Sequence, residues 1–236
     1  MNVYMVALPK INWSEVSRFV TSENLPSGEG YAVEPPSDAE SLVEMCGRLC
    51  YMSYGRGRRT NAAFLDNIIK SQHFSVLEHA NWTFIITGVS RSLTHELVRH
   101  RHFSYSQLSQ RYVDQSESDA IMPPSIKDTP LEQEWLLHQA RSRTLYAKIV
   151  AETSLTGIQS TTDARKLVRG TARSVMTEAT ETRIAVTGNA RAWRGFIQKR
   201  NSPHADQEIR TLAKTLLEKL WQSAPELFRD LMPENV

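Results

Sequence analysis

Three arginines, two histidines, three serines and two glutamines crowd into the fourteen residues Arg99 to Tyr112, with little apolar content between them. Arginine suits phosphate, because its planar fork makes two parallel charge-assisted hydrogen bonds. Serine and glutamine can read the edge of a base or a flavin. Composition alone also allows a solvated polar loop. The residues just before the segment argue against that: Leu93, Leu97 and Val98 anchor a helix, so that Glu96 and Arg99 project from a buried element. Further positive charge gathers at Arg56, Arg58 and Arg59, and from Arg165 to Arg200. The net charge of the chain is only +2. Basic clusters in a nearly neutral protein favour small anionic ligands over a polyanion track, so no general nucleic-acid partner is expected.

Other reactive side chains offer less. Ser109 could act as a nucleophile if a histidine activated it. The chain shows no clear serine–histidine–carboxylate arrangement, however, and hydrogen bonding to a phosphate suits Ser109 equally well. Cys46 and Cys50 lie one helical turn apart and read as two small core residues on one helix face. They lack the further ligands that a metal site needs, and a disulfide at this spacing in a helix has poor geometry. No metal is expected. Trp193, Phe196, Ile197 and Arg200 share one helical face, and apolar packing there can hold Arg200 in place.

The elements that must position these residues follow from pattern and caps. Val3 to Leu8 reads as a first strand and Ser22 to Pro36 as a loop. Ser37 and Glu40 form a capping box for a helix running to Tyr51, with Leu42, Val43, Cys46, Leu49 and Cys50 facing inward. A second helix spans Asn61 to Lys70 on Phe64, Leu65 and Ile68. Trp82 to Thr87 is a buried strand ended by Gly88, after which Ser90 caps the helix of Leu93, Leu97 and Val98. Leu131 to Leu155 is a long helix, and Asp163 to Met176 another. Arg183 to Thr187 is a strand, with Gly188 and Asn189 turning into the helix of Arg200. Ser202 and Pro203 start the last long helix, whose core stripe is Ile209, Leu212, Leu216 and Leu220.

Many helices and few, scattered strands predict an α+β fold: a single domain over residues 1–236, with a central, mostly antiparallel sheet flanked by long helices. It is not a Rossmann fold, because no glycine-rich phosphate loop follows a strand. No run approaches the roughly 20 apolar residues of a membrane span. Residues Met1 to Lys10 do not read as a signal peptide, so the cytoplasm is the expected location.

The order of residues says more than composition. Arg99-His100-Arg101, seven further residues, then Ser109, one residue, Arg111 and Tyr112 resembles the signature of the flavin-dependent thymidylate synthases. Ser104 matches the longer form of that motif, whereas Ser106 stands where most members have asparagine. His73 to His79 with the strand after it, Thr182 to Arg194 with Arg200, and His204 to Arg210 are similar to further family segments. The resemblance covers most of residues 37–222.

The resemblance implies an FAD-dependent methyltransferase that methylates dUMP at C5 with methylenetetrahydrofolate as carbon source. Reduced FAD supplies the hydride, NADPH re-reduces it, and homotetramers share active sites between subunits. Carried over by position, Ser75, Arg99, His100, Arg101 and Gln107 contact FAD. Asn189, Ala190 (through its backbone) and Arg191 do so from a neighbouring subunit. Gly195 occupies the position of a flavin-contacting histidine, and Ala190 that of a tyrosine in some members. Glu96, Arg99, Gln107, Ser109, Gln110, Arg111 and Arg173 surround dUMP, with backbone contacts from Leu97, Val98 and Leu108. Arg200 matches the arginine that polarises the uracil at N3. Met176 and Thr177 replace a common Leu-Pro. Hydride delivery from flavin requires no enzyme nucleophile, in keeping with two cysteines outside any polar segment. Two rivals stay open at this point: an RNA-binding protein using the Arg/Tyr-rich segment, and a flavoprotein oxidoreductase with another substrate.

Overall fold

The computed structural model describes residues 1–25, 37–54, 56–57, 60–153 and 160–233. It is an α+β fold. Strands β1 (Asn2–Ala7), β2 (Asn81–Ser90), β3 (Ser104–Gln107) and β4 (Glu181–Asn189) form one antiparallel sheet in the order β1-β2-β4-β3. The helices are α1 (Trp13–Ser22), α2 (Asp38–Tyr51), α3 (Asn61–Lys70), α4 (Arg91–Leu97), α5 (Glu132–Glu152), α6 (Thr161–Ala172), α7 (Ala190–Arg200), α8 (Gln207–Ser223) and the single turn α9 (Pro225–Phe228). By contacts the chain divides into two compact units interleaved in sequence. One comprises residues 1–2, 86–99 and 105–185; the other comprises 3–85, 100–104 and 186–236.

The second unit holds the larger core. Trp82, Phe84, Trp193, Phe196 and Phe228 are fully buried together with the α8 stripe Ile209, Leu212, Leu216 and Leu220. Trp82 is an aromatic with a polar handle: its Nε1–H donates to Ser223 Oγ at 3.0 Å, and its ring meets Phe228 edge-on. Arg194 is buried and fixes α7. It donates to Leu227 O and holds Asp230 through two nitrogens, at 2.7 and 2.5 Å.

Helix α2 departs from expectation. Its buried face carries Glu40, Glu44 and Arg48 beside Ala39, Val43 and Gly47, whereas Leu49 and Cys50 are exposed and Cys46 is half-buried. The two cysteines are therefore not core residues. A hydrophobic count misplaced this face because a satisfied ion pair occupies it. Glu44 Oε1 accepts Arg48 Nε and Nη2 at 2.7 and 2.6 Å, its Oε2 accepts Asn61 Nδ2 at 2.8 Å, and the guanidinium lies 4.6 Å over Phe64. Such a pair is tolerated in a core only when its remaining donors and acceptors are met.

The capping box is likewise only half present. Ser37 Oγ accepts the Glu40 amide at 3.3 Å, but the Glu40 carboxylate turns to the Ser37 hydroxyl (2.9 Å) and to the Glu226 amide at the start of α9 (2.6 Å). Burial, against those two hydrogen bonds and together with the Glu226 charge, leaves its pKa raised.

Other boundaries shift for local reasons. Helix α1, capped by Asn12, fills a stretch that periodicity left unassigned; its Ser22 was expected in the loop, most of which (residues 26–36) lies outside the described residues. Gly88 does not end β2. It sits at φ +65° within it, where a Cβ would come 3.2 Å from the Met1 backbone nitrogen, and the strand continues to Ser90. Helix α8 starts at Gln207 rather than at Ser202-Pro203, because Asp206 takes the Glu208 amide while Ser202 closes a separate turn on Ala205. Helix α6 ends at Ala172, followed by one 3₁₀ turn through Val175. Of the residues expected to anchor α4, Leu93 and Leu97 do so, whereas Val98 is exposed.

Two helical glycines give a paired stability test. A Cβ at Gly170 meets nothing within 4 Å, whereas one at Gly47 lies 2.9 Å from Phe64 Cζ. Gly170→Ala gains helix propensity of up to ~1 kcal/mol and should raise Tm by roughly 2–4 °C. In Gly47→Ala, overpacking of ~1–3 kcal/mol outweighs that gain and Tm should fall. Calorimetry showing the same sign for both would refute this packing.

Candidate active site

In the second unit the site begins with Gly188. The Phe103 ring lies on its backbone so closely that a Cβ would stand 2.2 Å from Phe103 Cδ1. Phe103 then lies tilted against Trp193, ring centroids 4.3 Å apart; the Trp193 Nε1–H donates to Gly188 O at 3.0 Å, and Trp193 meets Phe84 edge-on at 5.1 Å. This aromatic floor seats the His100 ring edge-on to Phe196 at 5.0 Å. Arg200, at the end of α7, donates its Nε–H to His100 Nε2 at 3.1 Å. An accepting Nε2 makes the imidazole neutral with its proton on Nδ1. Burial first, then the charges of Arg200 and Lys199, lower the His100 pKa to about 4. Between about pH 4 and 6.5 the unfolded chain binds a proton that the folded one refuses. Stability from this contact is thus complete above that window and is lost as pH falls through it.

The other expected residues of this unit are placed as follows. Asn189 caps α7, its Oδ1 accepting the Ala192 amide at 2.9 Å, and the Ala190 amide donates to Ala80 O. Arg191 pairs with Glu78 at 2.6 Å. Gly195 has open space where a Cβ would project. Ser75, in the 3₁₀ turn Phe74–His79, and Arg101 are exposed.

In the first unit the motif forms β3 rather than a loop throughout. Tyr105 ties it down: its hydroxyl donates to Leu97 O at 2.7 Å, and burial pushes its phenol well above the usual value. Gln107 Nε2 donates to Thr94 and Thr182 at 2.9 and 3.3 Å, and the Leu108 amide to Arg183 O. Ser109 Oγ accepts the Arg111 amide, and among the described residues no histidine hydrogen-bonds it. Arg169 holds the Tyr112 carbonyl at 2.5 Å, and Lys166 lies 5.0 Å over the Tyr112 ring. Glu96 is half-buried, while Arg99, Arg111 and Arg173 are exposed. Gln110 is buried with its Nε2 lacking any partner among the described residues.

The structure thus brings His100 to Arg200, and Gln107 to Thr94 and Thr182. Sequence reasoning missed Phe103, Tyr105, Thr94 and Arg169. Gly188 was the available signal, as a glycine at the end of a buried strand marks a close approach. The side chains of Arg99, Arg101, Arg111 and Arg173 make no ion pair or hydrogen bond with any described residue. Within the first unit, three uncompensated arginines, Arg99, Arg111 and Arg173, and an orphaned amide donor at Gln110 fit ligands that carry phosphate and a hydrogen-bonding ring.

Residues 33–226 match the family described as thymidylate synthase complementing protein. A Mycobacterium avium (strain 104) protein named flavin-dependent thymidylate synthase is 50% identical over 196 residues, covering 80% of this chain and 78% of its own. Its namesakes from Mycobacterium sp. (strain JLS) and Mycolicibacterium gilvum are 51% and 49% identical, with 82% and 84% of this chain covered and 82% and 83% of theirs. The chain belongs to the thymidylate synthase complementing protein family.

Proposed function

We propose that this chain is a flavin-dependent thymidylate synthase that converts dUMP to dTMP, with methylenetetrahydrofolate as carbon donor, FAD as bound flavin and NADPH as its reductant. The observation that carries this reading is a guanidinium, Arg200, fixed at 3.1 Å by a neutral histidine of the signature motif. A preoriented cation stabilises negative charge spreading from the uracil N3 and its carbonyl, the change needed to make C5 nucleophilic. When bound, reduced FAD supplies the hydride that completes the methyl group.

The remaining roles go to side chains whose present contacts suit them. Arg99, Arg111 and Arg173 have unspent charge for the nucleotide, joined by Glu96, Gln107, Ser109 and Gln110 and the backbone of Leu97, Val98 and Leu108. Ser75, Arg99, His100, Arg101 and Gln107 hold FAD. Asn189, Ala190, Arg191 and the open space at Gly195 receive it from a neighbouring copy, Arg191 exchanging Glu78 for the ligand. A homotetramer with shared sites is supported by exposed leucines, Leu136, Leu137 and Leu145 on α5 and Leu167 on α6, a surface that a second copy would cover. Strands β2 and β4 supply residues to both units, which supports one working domain over 1–236. No described helix is long and apolar enough to cross a membrane, and a cytoplasmic reaction fits that.

Under anaerobic conditions, enzyme reduced by NADPH and then given dUMP and methylenetetrahydrofolate should form dTMP. Protein that binds RNA with steep salt dependence and ignores dUMP would sink the proposal, as would anaerobic oxidation of the reduced flavin that does not depend on dUMP. Arg200→Ala should slow oxidation of the reduced flavin by nucleotide about 10²-fold or more; unchanged turnover would remove Arg200 from the chemistry. Light scattering should give about four times the chain mass of 26.8 kDa, and a monomer that is fully active would exclude shared sites.

A further inference from the structure

We infer that Gln139 and Ser142 of α5 are positioning residues for Arg173: their side chains fix the turn from which that guanidinium reaches the nucleotide. This rests on the reading above, in which Arg173 binds dUMP, and gives a role to the inner face of a helix that holds no ligand residue. Helix α5 is built inside out. It exposes Leu136, Leu137 and Leu145, whereas Gln139 and Tyr146 are buried and Ser142 and Arg143 half-buried. Gln139, Ser142, Arg143 and Tyr146 follow i, i+3, i+4, i+7 spacing and so share one face. An apolar face would hold its neighbours without direction, but this one holds them at particular atoms. Ser142 Oγ donates to Val175 O at 2.6 Å, and Gln139 Oε1 accepts the Thr177 hydroxyl at 2.5 Å. One turn further on, Arg143 donates to Ser118 O at 3.3 Å, and the Tyr146 hydroxyl accepts the Gln115 amide at 3.2 Å.

Arg173 needs this support because its own attachments are slight. Helix α6 has ended at Ala172, and Arg173 opens a single 3₁₀ turn closed by the Met176 amide on Arg173 O at 3.1 Å. The side chain is exposed, so the place where its flexible stem begins decides what the guanidinium can reach. Close packing does not set that place. A cavity of about 10 Å³, room for one water, lies against Gln139, Ser142, Arg143, Met176 and Thr180. The hydrogen bonds from α5 hold the turn instead. Beyond it the chain is tied down by the Ile121 amide on Ala179 O at 2.8 Å, and by the Arg91 and Ser92 amides of α4 on Thr180 O and Glu178 O, both at 3.0 Å. One face of α5 thus holds the turn of Arg173 and, through Ser118 and Gln115, the segment that follows Arg111. It sets the separation of the two arginines, to which a phosphate gripped by both is sensitive, because charge-assisted hydrogen bonds need good geometry.

The test uses FAD-loaded enzyme, titrated with dUMP in a calorimeter and then assayed for dUMP-dependent flavin oxidation. Thr177→Val and Ser142→Ala, which each delete one hydroxyl, should weaken dUMP binding by roughly three- to tenfold. At saturating dUMP the rate of flavin oxidation should change by less than about twofold, since only binding has been lost. Thr177→Ser, which keeps the hydroxyl, should bind dUMP as the wild type does. In an Arg173→Ala background neither Thr177→Val nor Ser142→Ala should weaken binding further, because both act through that one guanidinium. Unchanged dUMP affinity in the two single variants would overturn the inference. So would a loss that persists in the Arg173→Ala background, or one that Thr177→Ser shares, for either marks general loosening. If Thr177→Val does not fold, Ser142→Ala, at a half-buried site, decides the question by the same measurements. Wild-type protein that does not bind dUMP, or Arg173→Ala protein that binds it as tightly as the wild type, would defeat the reading of Arg173 instead.

Discussion

The approach of the Phe103 ring to the backbone at Gly188 is a constraint with no slack. A Cβ there would stand 2.2 Å from the ring, so with Phe103 in this place the strand must carry glycine. Packing of this kind transmits position because interiors are as dense as organic crystals and yield little. The Trp193 indole completes the lock from the other side by donating to the Gly188 carbonyl. What looks in sequence like a polar motif with one stray phenylalanine has residues 100–104 pinned by that phenylalanine.

Charge in this molecule is divided by purpose. Arg48, Arg194, Arg169 and Arg191 all have partners: buried Glu44 for Arg48, the Leu227 carbonyl with Asp230 for Arg194, the Tyr112 carbonyl with Asp114 for Arg169, and Glu78 for Arg191. These fix α2, α7, the end of the signature segment and the start of α7. Among the described residues Arg99, Arg101, Arg111 and Arg173 have no such company, and three of the four lie in the signature. Composition counts the two groups alike. Only the contacts each guanidinium makes separate cations that hold the protein from cations with charge left over.

That distinction also explains what the sequence could reveal. Helix α3 and its buried Phe64, Leu65 and Ile68 were legible to the residue, because apolar spacing and a threonine cap agree there. So was the α8 stripe, although not where α8 begins, since Asp206 and Pro203 offer competing starts and only the turn at Ser202 decides between them. Helix α2 was misread because its inner face is ionic. Glu44 and Arg48 look like solvent-facing charges until Asn61 and Phe64, from another helix, are seen to satisfy them. The candidate site was legible as a motif but not as a geometry. Gln107 depends on Thr94 and Thr182, and His100 on a residue a hundred positions away; no local pattern encodes such pairings.

Glu40 joins the two ends of the chain in time as well as in space. Its buried carboxylate accepts the amide of Glu226, 186 residues later. At ribosomal speeds of 5–20 residues per second, that acceptor waits roughly 10 to 40 seconds for its donor. Until then the first turn of α2 carries an acid that cannot be desolvated with both oxygens satisfied, so this face of the nascent protein stays wet. Closure of this corner of the larger unit is therefore a late event, and the half-made chain has a built-in reason not to collapse early around the wrong partners.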